Sequence, residues 1–192
     1  MNKNILVLFG SPHKRGYTSL LLKYFLKFLP DFSVNYIYAY DEMIKPCTGC
    51  NKCRKTYSCI FRDMDNINTL LRKSDFIIIA SPIYNASFPA PLKSIFDRMQ
   101  NYYFARKTYK FISENKKKVL LLLTQGSRNI DYEPIILPQI NPIIKIIGGE
   151  LIGNFILKDT DNSDLDIDKF YIKSENDIKN IINRIDSIFL KN

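Results

Sequence analysis

The sequence predicts an α/β protein in which a doubly wound parallel sheet of five strands carries helices on both faces. Two observations predict it. Continuous apolar runs of strand length alternate along the chain with segments whose apolar residues recur at helical spacing. Several of these runs end in Gly, Ser, Pro or Thr, residue types that stop a strand and open a loop.

The first run is Ile5-Leu6-Val7-Leu8-Phe9, closed by Gly10-Ser11-Pro12. An unbroken apolar run suits a strand buried on both faces, as in a parallel sheet. From about Thr18 to Leu29 the residues Leu21, Leu22, Phe25, Leu26 and Leu29 trace a helix face. Ser33–Tyr38 is a second, weaker strand. A cysteine segment, Pro46–Cys59, follows, and then a short helix over Asp63–Lys73 carrying Ile67, Leu70 and Leu71. Phe76–Ala80 is the third strand, stopped by Ser81-Pro82. The next helix, Pro89–Asn101, has Leu92, Ile95, Phe96 and Met99 on one face and proline at its start, where proline is tolerated. Tyr102–Lys118 is the least patterned stretch and reads as a surface excursion. Val119–Leu123 is the fourth strand, ended by Thr124-Gln125-Gly126. Pro134–Ile147 is apolar with helical period, and Pro138 and Pro142 are expected to kink or divide it. Leu151–Leu157 is the fifth strand. Glu175–Leu190 is a terminal helix with Ile178, Ile181, Ile182, Ile185 and Phe189 spaced for burial.

This order of elements is flavodoxin-like. The length, 192 residues, suits one domain over residues 1–192, with a cysteine-rich loop at 46–62. In such a sheet ligands collect at the carboxyl ends of the strands, near the switch point. The loops to inspect are therefore Gly10–Thr18, Ser81–Pro89 and Thr124–Asp131.

Composition removes several function classes. No apolar run reaches the roughly 18–20 residues of a membrane span. The first residues do not read as a secretory leader, so a cytoplasmic protein is expected. The formal net charge is +9. It is scattered in groups such as His13-Lys14-Arg15, Arg106-Lys107 and Lys116-Lys117-Lys118, with no nucleic-acid-binding motif beside it. A solvated basic surface is the plain reading.

The loop after the first strand reads Gly10-Ser11-Pro12-His13-Lys14-Arg15-Gly16-Tyr17-Thr18-Ser19. A phosphate needs several donors converging in a small volume. Backbone N–H groups at a helix N-terminus supply them, with Ser11, Thr18 and Ser19 hydroxyls in addition and Lys14 or Arg15 charge nearby. Gly16 is expected to ease a tight turn. The dinucleotide fingerprint Gly-x-Gly-x-x-Gly fails at Pro12. The Gly-x4-Gly-Lys-Ser/Thr loop fails on both spacing and Lys. An ordinary capped βα turn remains the competing reading.

Three sets of residues resemble one family. The pattern Gly10-Ser11-Pro12-(x)3-Gly16-x-Thr18 resembles the first loop of the NAD(P)H-dependent FMN reductases. Ser81-Pro82-Ile83-Tyr84, followed by Pro89-Ala90-Pro91-Leu92-Lys93 and Phe96-Asp97-Arg98, resembles their second block. With Cys47-x-x-Cys50-x-x-Cys53, Cys59 and Asp63-Met64, the chain is similar to the iron–sulfur flavoprotein branch, over roughly residues 3–126. The resemblance implies that Ser11, His13, Gly16, Tyr17, Thr18 and Ser19 surround an FMN phosphate. It implies that Pro82, Ile83, Tyr84 and Asn85 run along the isoalloxazine, and that Thr124, Gln125 and Gly126 border its other edge. His13 stands where the family usually has arginine and Tyr17 where it has asparagine, which removes a fixed charge and an amide donor and leaves the backbone donors. Tyr84 has a packing reading too. Asp97 and Arg98 read as a structural pair on the helix surface.

All four cysteines, Cys47, Cys50, Cys53 and Cys59, fall within thirteen residues. Three thiolates at this short spacing can wrap one face of an iron–sulfur cube and a later one can close it, which suits a [4Fe–4S] cluster. Zinc, whose structural sites usually separate two knuckles by a longer spacer, and free thiols or a labile disulfide are the alternatives. The resemblance implies a flavin-dependent oxidoreductase that takes electrons from NAD(P)H and delivers them to a quinone, a flavin, or an iron–sulfur or protein acceptor. The alternative is an FMN electron carrier, with or without the cluster, that does not itself use NAD(P)H. A homodimer or homotetramer is expected, with no nucleic acid and no membrane as partner.

Overall fold

The computed structural model describes residues 3–29, 32–109, 117–162, 166, 168, 171 and 174–189. Five strands form one parallel sheet: β1 (Lys3–Phe9), β2 (Phe32–Tyr38), β3 (Phe76–Pro82), β4 (Lys117–Thr124) and β5 (Gly149–Leu157), in the spatial order β2-β1-β3-β4-β5. The helices are α1 (Tyr17–Leu26), α2 (Lys52–Thr56), α3 (Asp65–Lys73), α4 (Ala90–Asp97), α5 (Gln100–Tyr109), α6 (Glu133–Ile146) and α7 (Glu175–Phe189). The doubly wound parallel fold read from the sequence is the fold observed.

The apolar runs are continuous because both faces of each central strand are covered. Side chains alternate across a strand. Ile5, Val7 and Phe9 of β1 enter one core layer, with Ile78 and Ala80 of β3 and Leu120 and Leu122 of β4, beneath α1 and α7. Leu6 and Leu8 enter the opposite layer, with Ile77, Ile79, Leu121 and Leu123, beneath α3, α4 and α6.

Three details differ from the sequence reading. The helix expected over 89–101 is two helices, α4 and α5, with the break at Arg98 and Met99, both buried. The expected surface excursion is helical as far as Tyr109, while 110–116 lie outside the described residues, as does Leu190 at the expected end of α7. The helix α6 runs unbroken through Pro138 and Pro142. The reason lies in their placement. Pro134, Pro138 and Pro142 follow one another at four-residue spacing on the exposed face, while Ile136, Ile140 and Ile144 are buried. The carbonyls that lose a donor therefore face water, which can hydrate them.

The sheet aligns the ends that matter. Phe9 pairs in register with Ala80, Pro82 with Thr124, and Thr124 with Leu157. The chain direction of assembly reverses between β1 and β3, so the crevice of this sheet opens there. No helix among the described residues is long and apolar enough to cross a membrane.

Candidate functional site

The first loop leaves β1 through Gly10, whose N–H donates to the Ala80 carbonyl at 2.8 Å. A Cβ at Gly10 would lie 2.6 Å from Leu92 Cδ2 and 2.7 Å from Ser81 Oγ, so only glycine lets the loop lie this close to β3 and α4. The Ser11 hydroxyl accepts from the His13 N–H at 3.1 Å, and the His13 carbonyl accepts from the Gly16 N–H at 3.1 Å. These two bonds fold residues 11–16 into a compact turn. Gly16 caps α1 with φ −83°, which any residue adopts, so its role is steric: a Cβ there would come 3.2 Å from His13 Cβ. The Gly16 carbonyl takes the Ser19 and Leu20 N–H groups. The N–H groups of Lys14, Arg15, Tyr17 and Thr18 have no hydrogen-bond partner among the described residues. Four donors around the N-terminus of α1 are thus available to an anion.

The side chains divide into two groups. Ser11, Thr18 and Ser19 are buried, whereas Pro12, His13, Lys14 and Arg15 are exposed and line an open concavity with Gly16. Tyr17 is half-buried against the α1 core layer, so what it offers a ligand is its backbone N–H. Lys14 pairs with Asp41 and lies over the Tyr38 ring. Arg15 has no ion-pair partner among the described residues and is the freer charge.

The second loop reaches the same place. Ile83 N–H donates to the Thr124 carbonyl at 2.8 Å. Tyr84 and Ser87 then exchange two backbone bonds of 2.9 Å around Asn85 and Ala86, which have φ of 50° and 58°. Consecutive left-handed residues make a tight turn, and alanine there is strained. Gln139 of α6 holds the turn, accepting from the Ser87 hydroxyl at 2.8 Å and donating to the Ala86 carbonyl at 3.0 Å. Pro82 ends β3 and Ile83 is buried, but Tyr84 is 41% exposed on the rigid turn.

The third loop closes the set. Thr124 and Thr18, both buried, share a hydroxyl–hydroxyl bond of 2.8 Å, which ties the start of α1 to the end of β4. Gln125 is 1% exposed and donates from Nε2 to the Ser127 and Ile130 carbonyls, each at 2.7 Å. It shapes the loop that follows. A Cβ on Gly126 would fall 2.0 Å from Asp161 Oδ2, so the chain passes here with no room for a side chain. All three expected loops therefore meet at one crevice. One further residue belongs with them. Tyr40 follows the end of β2, and burial, with the Tyr84 phenol adding, raises its pKa. Tyr40 has no motif around it, and its only signal in the sequence is its place just after the second strand.

The four cysteines meet in a second place. Cys47, Cys50, Cys53 and Cys59 line a cavity of about 130 Å³ with Ile60, Phe61, Arg98 and Phe104. Left-handed backbone at Gly49 (φ 67°), Asn51 (φ 58°) and Tyr57 (φ 56°) brackets α2 and turns the segment about this cavity. Burial pushes the Cys53 thiol up, and Cys47, Cys59 and Cys50 add to it. No group of three or more ligating side chains among the described residues is placed to hold one metal ion. The four cysteines share the lining of one cavity whose volume exceeds what a single ion needs.

Arg98 does not pair with Asp97, which bonds to Lys93. Its buried guanidinium donates to Asp63 Oδ1 and to the Lys45 carbonyl, each at 2.7 Å, and to the Phe61 carbonyl at 3.3 Å. The helix break places it there. Burial opposes the charge on Arg98, but the hydrogen-bonded Asp63 carboxylate, with Cys59 adding, outweighs it and holds the pKa above its ordinary value.

Comparison with known proteins gives two kinds of likeness. The sequence profile of a family described as NADPH-dependent FMN reductase matches residues 3–130. An iron-sulfur flavoprotein of Archaeoglobus fulgidus is 38% identical over 96 residues, covering 48% of this chain and 44% of that protein. An iron-sulfur flavoprotein of Methanosarcina thermophila is 36% identical over 106 residues, covering 55% and 53%. The chain spans about half the length of these curated relatives. In fold it is similar to the NAD(P)H:quinone oxidoreductase from Methanothermobacter marburgensis, with a TM-score of 0.69 at 14% identity, covering 96% of this chain and 93% of that one.

Proposed function

Because this chain belongs to the NADPH-dependent FMN reductase family, we propose that it is an FMN-dependent oxidoreductase using NAD(P)H. The electrons go on to a quinone, another flavin, or an iron–sulfur or protein acceptor. The observation that carries this reading is the set of four unpaired N–H groups at the start of α1, set at the β1/β3 switch point beside the left-handed turn at Asn85-Ala86.

In this reading the N–H groups of Lys14, Arg15, Tyr17 and Thr18 and the hydroxyls of Ser11, Thr18 and Ser19 hold the FMN phosphate, with His13 and Gly16 forming its wall. Pro82, Ile83, Tyr84 and Asn85 run along the isoalloxazine. The Tyr84–Ser87 turn is held rigid by Gln139, so it fixes the ring without closing over it. Thr124, Gln125 and Gly126 bound the opposite edge. The bound flavin supplies the redox chemistry, accepting a hydride and releasing electrons singly or in pairs. The chain's own residues bind and orient, and no acid–base side chain is assigned.

Cys47, Cys50, Cys53 and Cys59 are proposed to hold a [4Fe–4S] cluster. The donor set is four thiols around a void larger than a single ion needs, which supports a cluster over zinc. That cavity also favours a second reading, a one-electron carrier that does not itself use NAD(P)H. The net charge of +9 opposes it mildly, since electron carriers of this fold that act alone are acidic. Full-length protein reconstituted with FMN under anaerobic conditions is mixed with NADH and with NADPH in a stopped-flow instrument. Bleaching of the flavin by either supports the enzyme. Bound flavin that neither reductant bleaches supports the carrier. Failure to retain FMN overturns both.

A further inference from the structure

Arg98 has a second relation to the cysteine cavity, beyond lining it. The cysteine segment is closed at its base by one cluster of bonds. Asp63 accepts from the Lys45 N–H at 3.0 Å, and the guanidinium bonds to Asp63 and to the carbonyls of Lys45 and Phe61. Lys45 precedes the first cysteine and Phe61 follows the last, so one side chain joins the two ends of the loop. The Arg98 side chain is 1% exposed, and its ring neighbour Phe61 stacks at 5.0 Å from the guanidinium carbon. Its Nε is buried and has no hydrogen-bond partner among the described residues. A buried charged donor left unpaired is costly. Here it belongs to a residue that lines the cavity together with Cys59, where a thiolate or sulfide would take it up.

We propose that Arg98 is a positioning residue for the metal centre: it locks the base of the cysteine loop and presents a fixed cation to the cavity, so that a cluster there is held more tightly and reduced more easily. This rests on the [4Fe–4S] reading above. Reduction adds negative charge to a cluster, and a nearby cation and hydrogen bonds to its sulfurs favour the reduced form. Arginine suits both tasks, because its planar fork spans a carboxylate and two carbonyls together, which a lysine ammonium does not.

The test compares the wild-type chain with Arg98→Lys and Arg98→Gln, each reconstituted anaerobically with ferrous iron and sulfide. The readouts are iron and sulfide content, the rate of cluster loss to a chelator, the midpoint potential by electron paramagnetic resonance, and amide hydrogen exchange over residues 45–63 of the apoprotein. Arg98→Gln is expected to lose its cluster about tenfold faster or more, to show a lower potential and to exchange faster across the loop. Arg98→Lys is expected to keep a potential near the wild type while losing its cluster faster. Wild-type loss rate and potential in Arg98→Gln overturn the proposal. If Arg98→Gln shows no cooperative melting transition, a wild-type loss rate in Arg98→Lys overturns it instead. If the wild type itself takes up no iron, the metal reading fails, and unchanged exchange in the Arg98→Lys apoprotein then overturns the clamp separately.

Discussion

The hydroxyl pair Thr18–Thr124 offers the sharpest test of how the crevice is held together. Both residues are 3% exposed and their hydroxyls lie 2.8 Å apart, across 106 residues of sequence. Replacing one by valine keeps the shape but leaves the other hydroxyl buried without this partner. That costs about 1–3 kcal/mol, the desolvation of a polar group left unsatisfied. Replacing both removes the polar pair from the site, and the cost of the double variant is then close to that of one single variant or below it. Thr18→Val and Thr124→Val are therefore expected to destabilise by about 1–2 kcal/mol each, with a coupling of about 1 kcal/mol or more in the double variant. Urea unfolding of the FMN-free protein, with an unchanged m-value across the four proteins, measures it. Strictly additive losses would refute the hydroxyl pair as the tie between α1 and β4.

Other consequences follow from neighbouring residues. Gly10→Ala puts a methyl against Leu92 Cδ2 and Ser81 Oγ at under 2.8 Å. It is expected to cost about 1–3 kcal/mol as core overpacking and to weaken FMN binding, read by thermal melting and flavin fluorescence. Arg15→Gln is expected to weaken FMN binding severalfold at low ionic strength and hardly at high, because an exposed charge is screened by salt; an equal loss at both salts would remove Arg15 from the phosphate's surroundings. Burial works against the Asp63 carboxylate, but bonds from Arg98 and the Lys45 N–H hold its pKa below the ordinary value. A depressed pKa stabilises the fold fully above the unfolded value of about 3.9, and that stability is lost as the pH falls through the lower folded value. Asp63→Asn is thus expected to be less stable than the wild type at neutral pH, with the gap narrowing below about pH 4 in urea titrations of the apoprotein.

The sheet was legible because its signal is local. A strand covered on both faces must be apolar at every position, and the runs at Ile5–Phe9, Phe76–Ala80 and Val119–Leu123 are. The three crevice loops were legible because parallel strands place their carboxyl ends together wherever the loops fall in the sequence. What escaped depends on partners distant in the chain or on which face a residue occupies. Arg98 read as the partner of Asp97, its neighbour, but its bonds go to Asp63, 35 residues away, and to carbonyls that carry no signature. Pro138 and Pro142 read as kinks or divisions of the helix; it is not divided there, since their exposed face lets it continue. Gly16 read as a conformational requirement and is a steric one. Gln125 carried no local sign that its Nε2 would brace the Ser127 and Ile130 carbonyls and so shape the third loop.

The central claim is that one chain carries a flavin at the β1/β3 crevice and a cluster in the cysteine cavity. An absorption spectrum with flavin, iron and sulfide analysis, taken on full-length protein prepared without oxygen, tests it most directly. The expected result is about one FMN and about four irons and four sulfides per chain, with the flavin retained and the iron lost when the cysteines are replaced by serine. A protein that lacks either the flavin or the iron after anaerobic reconstitution would contradict the account.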